Sequence, residues 1–439
     1  MHDHVRQVAL PTGHLNLSWS TQRFHLDDLC DFASRRNNKR PFLFVSKVLG
    51  RYCAIQPAVL RNVSRQLASE LSQTQLPGPV LFVGLVEAGV GLGHAVFEDT
   101  LALTQREDFT LLQTTRYRLD NLDRRLLAEF AEEHSHAPRH FLYEPAEETI
   151  ADKLLEARTL VLIDDEATSG RTFENLYHAL RSQLPNLTHV RDVTVTDWRA
   201  EATRHACPLA KQADYRPISL FRGEYEFERN GETTRQADPA IGNQARKDDL
   251  LDARFGRLGV KKKLQWDVDC IANFSELLKD SVIPDNMGPN GATPDISPNW
   301  NSRRNKSRVL VIGTGEFIYP PFLLAERLVA EGQSVDFLAS TRSPVESGLA
   351  IREVRTFKDN YGDEIPNYLY NLSSNDYARI LFCQETPATT APWPLIHELG
   401  ASVLRFSSQS NGEISFREVA PPSPRSRSAL SAKPARVSP

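Results

Sequence analysis

The sequence has few of the features that mark membrane, secreted or thiolate-metal proteins. None of its hydrophobic runs approaches the roughly 20 residues needed to cross a bilayer, and residues 1–6 contain no apolar signal region. The five cysteines stand singly, without C-x-x-C spacing. A net charge of -4 argues against a general nucleic-acid binder. We therefore expect a cytoplasmic protein that neither enters a membrane nor binds nucleic acid.

Length and local composition predict more than one domain. A chain of 439 residues with 40% hydrophobic residues can form two substantial cores. A stretch rich in proline and glycine, 280–307, predicts a linker. The basic segment 421–439 has no acidic residue and predicts a disordered tail. We expect a first domain at 20–260 and a second at 308–405.

The first half shows the pattern of an α/β fold. An apolar strand at 80–83 leads through a glycine-containing turn at 84–89 into a helix, and a second strand follows near Leu111. Apolar residues at 173, 176, 177 and 180 predict a helix with one buried stripe. The pattern predicts a parallel sheet flanked by helices.

The most informative segment is an apolar run, 160–163, that ends in Asp164 and Asp165. Carboxylates accept hydrogen bonds from sugar hydroxyls, and backbone amides at the start of a helix suit a phosphate. The segment therefore predicts a site for a phosphoribosyl donor. An acidic strand end that merely caps a helix is the structural alternative. The phosphate loop would consist of Ala167, Thr168, Ser169, Gly170, Arg171 and Thr172.

This segment resembles the phosphoribosyl-pyrophosphate signature of the type I phosphoribosyltransferases. The resemblance implies that Asp164 and Asp165 contact the ribose 2′- and 3′-hydroxyls and that the loop binds the 5′-phosphate. It also implies a magnesium ion between the ribose hydroxyls and the pyrophosphate, with the two aspartates as indirect ligands. Thr168 stands where purine-salvage members carry a carboxylate, which disfavours a purine acceptor.

The resemblance implies a pyrophosphate-binding loop after the first strand, at Glu87, Ala88 and Gly89, and a glycine-containing backbone there could approach the leaving group closely. Arg116 falls where type I enzymes carry a closing loop, and its guanidinium suits a pyrophosphate that gains charge. For each there is a plain alternative: a turn that is glycine-rich for steric reasons, and a solvated surface arginine.

Ionisable residues cluster in the segment 132–140. Glu133 and His134 are candidates for proton transfer to the nucleophile. A zinc site formed by His134, His136 and His140 is an alternative, although no matching cysteine is evident. The sequence leaves catalytic, metal-binding and structural roles open for these histidines.

An internal repeat relates the two halves. Residues 84–87 match 313–316, residues 114–116 match 340–342, and 130–143 align without gaps to 357–370. The fourth counterpart, 380–386, lacks the paired aspartates and the glycine turn. We expect the second α/β domain to be a degenerate duplicate, which requires both halves to share one strand order.

As a whole the chain resembles the two-part phosphoribosyltransferases of bacterial tellurite-resistance and stress-response gene clusters, whose second region is the TRSP domain. The Thr-Arg-Ser-Pro motif that gives the domain its name is present as residues 341–344. Lys47 lies in a segment that also looks like this family and would form a hood over the acceptor. The resemblance implies transfer of ribose 5-phosphate to an unidentified acceptor in the biosynthesis of a nucleotide-like metabolite. Arg342 would bind a phosphate or carboxylate, unless the motif only forms a turn. The second-domain candidates are Glu316, Thr341 and Arg342.

Two other functions are compatible with the motifs. The same fold could bind phosphoribosyl pyrophosphate or a nucleotide as a regulator without turnover. Residues 313–316 could begin a dinucleotide site in an oxidoreductase, but a full G-x-G-x-x-G is missing. Assembly as a homodimer is left open.

Overall fold

The structure is a computed structural model that describes residues 3–37, 39–119, 125–131, 139–231, 255–279, 308–408 and 412–421. The expected linker at 280–307 lies outside these residues, as does the expected tail apart from its first residue. Among the described helices, none is long and apolar enough to span a membrane.

An N-terminal layer precedes the first central sheet. A hairpin of two strands is followed by a short helix, a second hairpin and a long helix whose apolar face is buried. The cross-strand aromatic pairs of the second hairpin, such as Phe32 with Phe44, pack into the core. These elements are β1 (His4–Leu10), β2 (Gly13–Trp19), α1 (Leu26–Leu29), β3 (Cys30–Ser34), β4 (Phe42–Ser46) and α2 (Pro57–Ser72).

The first central sheet is parallel throughout, with the order β6-β5-β9-β11-β12, and the short β10 pairs with β11. The α/β expectation is confirmed, because strands buried on both faces require helices on both sides. The next strand along the chain, β13, is not part of this sheet and pairs with β2 of the N-terminal layer. The elements are β5 (Val80–Gly84), α3 (Ala88–Thr104), β6 (Phe109–Gln113), β7 (Leu126–Ala131), β8 (Arg139–Tyr143), α4 (Glu148–Leu155), β9 (Thr159–Ile163), β10 (Glu166–Ala167), α5 (Arg171–Arg181), β11 (His189–Asp197), α6 (Glu201–His205), β12 (Asp214–Arg222) and β13 (Glu224–Arg229).

The second central sheet has the order β15-β14-β18-β19-β20, of which the first four strands are parallel and β20 is antiparallel. A hairpin, β16 with β17, stands outside it. The elements are α7 (Val268–Lys279), β14 (Val309–Gly313), α8 (Tyr319–Ala330), β15 (Val335–Ala339), β16 (Val354–Lys358), β17 (Pro366–Tyr370), β18 (Arg379–Gln384), α9 (Trp393–Leu399), β19 (Ser402–Ser408) and β20 (Ile414–Val419).

The two sheets share one strand order, as the duplication hypothesis requires. The order β6-β5-β9-β11 in the first half corresponds to β15-β14-β18-β19 in the second, and each half inserts a hairpin before its third strand. The hairpins are attached alike, because Thr115 bridges Phe141 and Thr341 bridges Tyr368. A tyrosine hydroxyl at the end of each hairpin accepts a backbone amide, Tyr143 from Leu119 and Tyr370 from Val345.

Each half extends an arm over the edge strand of the other half. The amide of Ala339 on β15 donates to the carbonyl of Gly50 (2.6 Å), and the amide of Gln113 on β6 donates to the carbonyl of Gly256 (3.1 Å). The first arm leads into α2, which packs on the first half, and the second leads into α7, which packs on β20. Covering both edges removes two unpaired strand backbones.

The hydrophobic interior follows the same plan. On one face of its sheet, each half has a separate hydrophobic core, which contains Leu81 and Leu160 in the first half and Leu310 and Phe382 in the second. The opposite faces share one continuous core. Helices α3 and α8 meet there, with the rings of His94 and Tyr319 stacked at 4.6 Å. The largest core therefore contains residues of both halves.

Candidate active site

A cavity lies at the carboxyl ends of β5 and β9, where ligands bind in open parallel sheets. Its wall comes from three parts of the chain: the N-terminal layer, the loops of the first sheet, and the second half. The lining residues are Arg35, Arg40, Leu43, Arg51, Tyr52, Val86, Glu87, Ala88, Arg116, Asp164, Asp165, Glu166, Thr341, Arg342 and Ser343.

Asp164 and Asp165 stand directly after β9 on the cavity wall, as the sequence predicts. One oxygen of each is held by the backbone: the amide of Asp165 donates to Asp164 Oδ1 (2.9 Å), and the amide of Glu166 donates to Asp165 Oδ1 (3.1 Å). Burial raises the pKa of Asp165, while its hydrogen bond with Asp164 and the nearby Arg51 act against that rise. The pair is thus oriented towards the cavity by its own turn.

The predicted phosphate loop runs from β10 into α5. Gly170 has a φ of 77°, a left-handed conformation that disfavours residues with a side chain, and α5 begins at the next residue. The Arg171 amide donates to Ser169 Oγ (3.3 Å). The helix stripe at Phe173, Leu176, Tyr177 and Leu180 is buried, which confirms the predicted helix. The loop and α5 follow the acidic pair directly in the chain, but none of residues 167–172 is among those that line the cavity.

Gly89 permits the close approach of the other predicted loop. A Cβ at Gly89 would lie 2.4 Å from the carbonyl oxygen of Ile163 and 3.1 Å from the Cα of Asp164. Only a glycine allows α3 to begin this close to the acidic pair. Ala88 is the first residue of α3 and lines the cavity.

Glu87 lies on the cavity wall, but its carboxylate is engaged by protein groups. It accepts hydrogen bonds from Arg51 Nη2 (2.8 Å), Thr341 Oγ1 (2.7 Å) and the Arg342 amide (3.2 Å). Burial acts to raise the pKa of Glu87, and Arg51, Arg116 and Arg342 together lower it below its usual value. The carboxylate therefore joins the two halves.

Arg116 also lines the cavity, within a buried framework. Its amide donates to Glu316 Oε1 (2.7 Å), and the neighbouring Thr115 hydroxyl donates to Glu316 Oε2 (2.6 Å). The second-half candidates Glu316, Thr341 and Arg342 thus contact the first-half loops. The sequence gives no reason to expect these contacts.

The remaining predicted residues are placed elsewhere. Lys47 donates from Nζ to the carbonyl of Asp27, away from the residues that line the cavity. Glu133, His134 and His136 lie outside the described residues. His140 is buried, stacks on Phe130 and lies 3.4 Å from Thr114 Oγ1 through Nδ1. Among the described residues, no group of three histidine, cysteine or acidic side chains could hold a metal ion.

Several lining residues were not predicted. Arg40 pairs with Glu166 (2.7 Å) and lies over the rings of Phe42 and Phe44. Burial raises the pKa of Glu166 to about 7. Arg51, four residues after Lys47, lines the cavity where Lys47 does not. The proximity of Glu166 to the aspartate pair was the one local signal.

The equivalent place in the second half is filled by protein side chains. Glu385 follows β18 as Asp164 follows β9, but it is only 3% exposed. Arg257 binds it through Nη2 (2.8 Å) and Nη1 (3.0 Å), and the hydroxyl of Tyr361 donates to it (2.8 Å). These bonds satisfy the carboxylate without any ligand.

Comparisons with known proteins agree with this division. Residues 29–224 match a family model described as phosphoribosyl transferase, and residues 286–399 match one described as the TRSP domain C terminus to PRTase_2. No curated protein matches the chain.

Three solved structures are similar to part of the chain. Adenine phosphoribosyl transferase from Trypanosoma brucei is 13% identical over 50% of this chain and 87% of that chain, with a TM-score of 0.33. The Leishmania donovani adenine enzyme is 15% identical over 45% and 78%, with a TM-score of 0.30. A Staphylococcus aureus hypoxanthine phosphoribosyltransferase is 11% identical over 40% and 78%, with a TM-score of 0.24.

Proposed function

Because the chain belongs to the two-part phosphoribosyltransferases that carry a C-terminal TRSP domain, we propose that it transfers ribose 5-phosphate from phosphoribosyl pyrophosphate to a small-molecule acceptor and releases pyrophosphate. The product would be a nucleotide-like metabolite made in the cytoplasm. One observation carries the proposal. Asp164 and Asp165 lie on the cavity wall, immediately before a loop that opens α5.

The arrangement of the strands orients the donor. The 5′-phosphate would bind the amides at 168–172, and the ribose hydroxyls would donate to Asp164 and Asp165. Strand β5 is the neighbour of β9, with Gly84 paired to Ile163. The sugar's C1 and its pyrophosphate would therefore point to the loop after β5, beneath the N-terminal layer.

The two aspartates fit an indirect magnesium site. Magnesium prefers oxygen ligands and keeps several waters, so it needs one or two carboxylates and substrate phosphates rather than a protein cage. Asp164 and Asp165 supply that donor set beside the expected phosphates. When bound, the ion would neutralise charge on the departing pyrophosphate.

The chain's own residues would act mainly by position and charge. Arg51 and Arg116 line the cavity on the pyrophosphate side, where negative charge grows as the C1–O bond breaks. The two aspartates lie where positive charge develops on the ribose. No covalent nucleophile is required. Arg35, Arg40 and Tyr52 would border the acceptor, and Glu133 and His134 are proposed for the proton transfer that frees its nucleophilic atom.

The test is turnover of phosphoribosyl pyrophosphate with magnesium and a metabolite extract, followed by pyrophosphate release and mass spectrometry of new products. Asp164→Asn and Asp165→Asn should each slow release about 100-fold or more, because charged hydrogen bonds to the ribose are lost. Asp152→Asn, on the exposed face of α4, is the matched control. Donor binding without release would indicate the regulator instead, and absence of donor binding would refute the transferase and leave only a regulator that binds a nucleotide.

The biological role rests on the resemblance alone. We propose that the product serves a stress response that includes tellurite resistance. A strain that lacks the gene should regain tellurite survival with the wild-type gene and fail to do so with the Asp164→Asn gene. Equal survival with both genes would contradict this role.

A further inference from the structure

The two halves exchange equivalent contacts around their glycine loops. Glu87 of the first half accepts from the hydroxyl of Thr341 and the amide of Arg342. Glu316 of the second half accepts from the hydroxyl of Thr115 and the amide of Arg116 in the same way. Each half thus presents a Thr-Arg pair to the loop of the other. The halves are related as the two subunits of a symmetric dimer would be.

The two Thr-Arg pairs nevertheless face different surroundings. The place equivalent to the donor site in the second half is filled by Arg257 and Tyr361, which bind Glu385. The cavity of the first half is lined by both Arg116 and Arg342. The symmetry therefore brings an arginine of the second half to a cavity that belongs to the first.

The guanidinium of Arg342 is held by Tyr117 through Nη2, whereas Nη1 lacks a hydrogen-bond partner among the described residues. The residue is only 6% exposed. Its Nη2 donates to the hydroxyl of Tyr117, and the guanidinium carbon lies 4.8 Å from the centre of the Tyr117 ring. Its Nη1 is buried and has no hydrogen-bond partner within the part of the chain that the structure describes. A buried guanidinium N–H without a protein acceptor needs one from water, an ion or a ligand, and Arg342 lines the cavity where a ligand could supply it.

The position of Arg342 indicates which part of the donor its Nη1 would bind. Arg342 contacts Glu87, which follows β5, whereas the phosphate loop follows β9 and continues into α5. In the proposed donor orientation, Arg342 therefore lies on the side of the ribose where C1 carries its pyrophosphate, and not on the side of the 5′-phosphate.

We propose that Arg342 of the TRSP motif binds the pyrophosphate group of the donor through Nη1, so that the second half completes the active site of the first. The inference rests on the proposed function, because it takes the donor's orientation from it. Tyr117 acts as a positioning residue, since its hydroxyl and ring hold the guanidinium in place. The role of the second domain is then to supply a cation to the cavity of the first half.

Calorimetric titration of the full chain tests the proposal with three probes: magnesium pyrophosphate, phosphoribosyl pyrophosphate and ribose 5-phosphate. Arg342→Gln should weaken binding of the first two about tenfold or more, because one charge-assisted hydrogen bond and its charge are lost. Binding of ribose 5-phosphate should be unchanged, because this probe has no pyrophosphate. Arg342→Lys should restore part of the loss.

Two controls separate the outcomes. Arg355→Gln removes another second-half arginine, which pairs with Glu353 and Glu398 on the surface, and should change none of the three affinities. If Arg342→Gln does not fold, Tyr117→Phe serves instead and should weaken only the two pyrophosphate probes. Unchanged pyrophosphate affinity, or an equal loss for ribose 5-phosphate, would overturn the proposal. Failure of the wild-type protein to bind phosphoribosyl pyrophosphate would instead refute the proposed function.

Discussion

Glu87 and Glu316 occupy equivalent positions in the two halves, and each accepts hydrogen bonds from the opposite half. Each carboxylate follows the first strand of its sheet, and each is bonded by a threonine hydroxyl and an arginine amide of the opposite half. Each is also paired with an arginine from an arm that crosses the boundary, Arg51 or Arg257. Neither half alone supplies all the hydrogen bonds to its buried carboxylate, so we expect the two halves to unfold together.

Glu316→Gln should lower the free energy of unfolding by about 3 kcal/mol, because the buried Arg257 loses part of its charge compensation. Chemical denaturation followed by fluorescence and circular dichroism would measure the loss as one coincident transition. Glu418→Gln removes an exposed partner of Arg379 (3.4 Å) and should cost less than about 0.5 kcal/mol. Separate transitions, with the first half unaffected, would contradict the coupling of the halves.

What the sequence could predict was local. The apolar run before Asp164, the small residues after it and the helix stripe from Phe173 to Leu180 all follow from period and residue type. The repeat was detectable because its three matches keep their order, and the shared strand order agrees with it. The parallel α/β architecture follows from the same patterns.

The rest of the site depends on contacts between residues far apart in the chain. Arg51 donates to the carbonyl of Ser340 (2.8 Å), 289 residues away, and nothing near position 51 signals this contact. For the same reason Lys47 was predicted for the hood although Arg51 lines the cavity. The arm around Arg257 lies at the predicted end of the first domain but binds both halves, which no periodicity reveals.

The left-handed conformation at Gly170 gives a test of the phosphate loop. Gly170→Ala should lower the free energy of unfolding by about 1–2 kcal/mol. It should also weaken donor binding, since the new Cβ would lie 3.2 Å from Arg199 Nη1 and displace the loop. Gly400→Ala has the same strain, with a φ of 61°, but no atom within 4 Å of its Cβ. Titration should show wild-type donor affinity for Gly400→Ala, and equal affinities for both variants would remove the loop from the site.

In the second half, the position equivalent to the donor site is occupied by the Arg257–Glu385 ion pair, which predicts strong energetic coupling between these two residues. Arg257→Gln should lower the free energy of unfolding by about 3–5 kcal/mol, because it leaves Glu385 buried and under-compensated. In Arg257→Gln/Glu385→Gln the charge of Glu385 is absent and only that of Glu316 stays under-compensated, so part of the stability should return. A double-mutant cycle from denaturation curves measures the coupling, which should exceed about 1 kcal/mol. Additive losses in the free energy of unfolding would show that Arg257 and Glu385 are not coupled.

His94 should make the contact between the halves sensitive to acid. It lies on α3, stacked on Tyr319 of α8, and its Nε2 is 3.2 Å from Gln113 Oε1. Burial lowers its pKa from 6.5 to about 4, so the folded protein keeps the ring neutral. Between these values the unfolded chain binds the proton more readily, and stability falls as the pH falls.

The wild-type protein should therefore lose up to about 3 kcal/mol from this group between pH 6.5 and 4, and retain its full contribution above pH 6.5. His94→Gln should be less stable than wild type near pH 8, because the stacking is lost, but the difference should shrink as the pH falls through this window. His14→Asn, at an exposed position on β2, should follow the wild-type profile. Denaturation curves at several pH values measure this difference, and a gap that stays constant with pH would mean that His94 does not couple the halves to protonation.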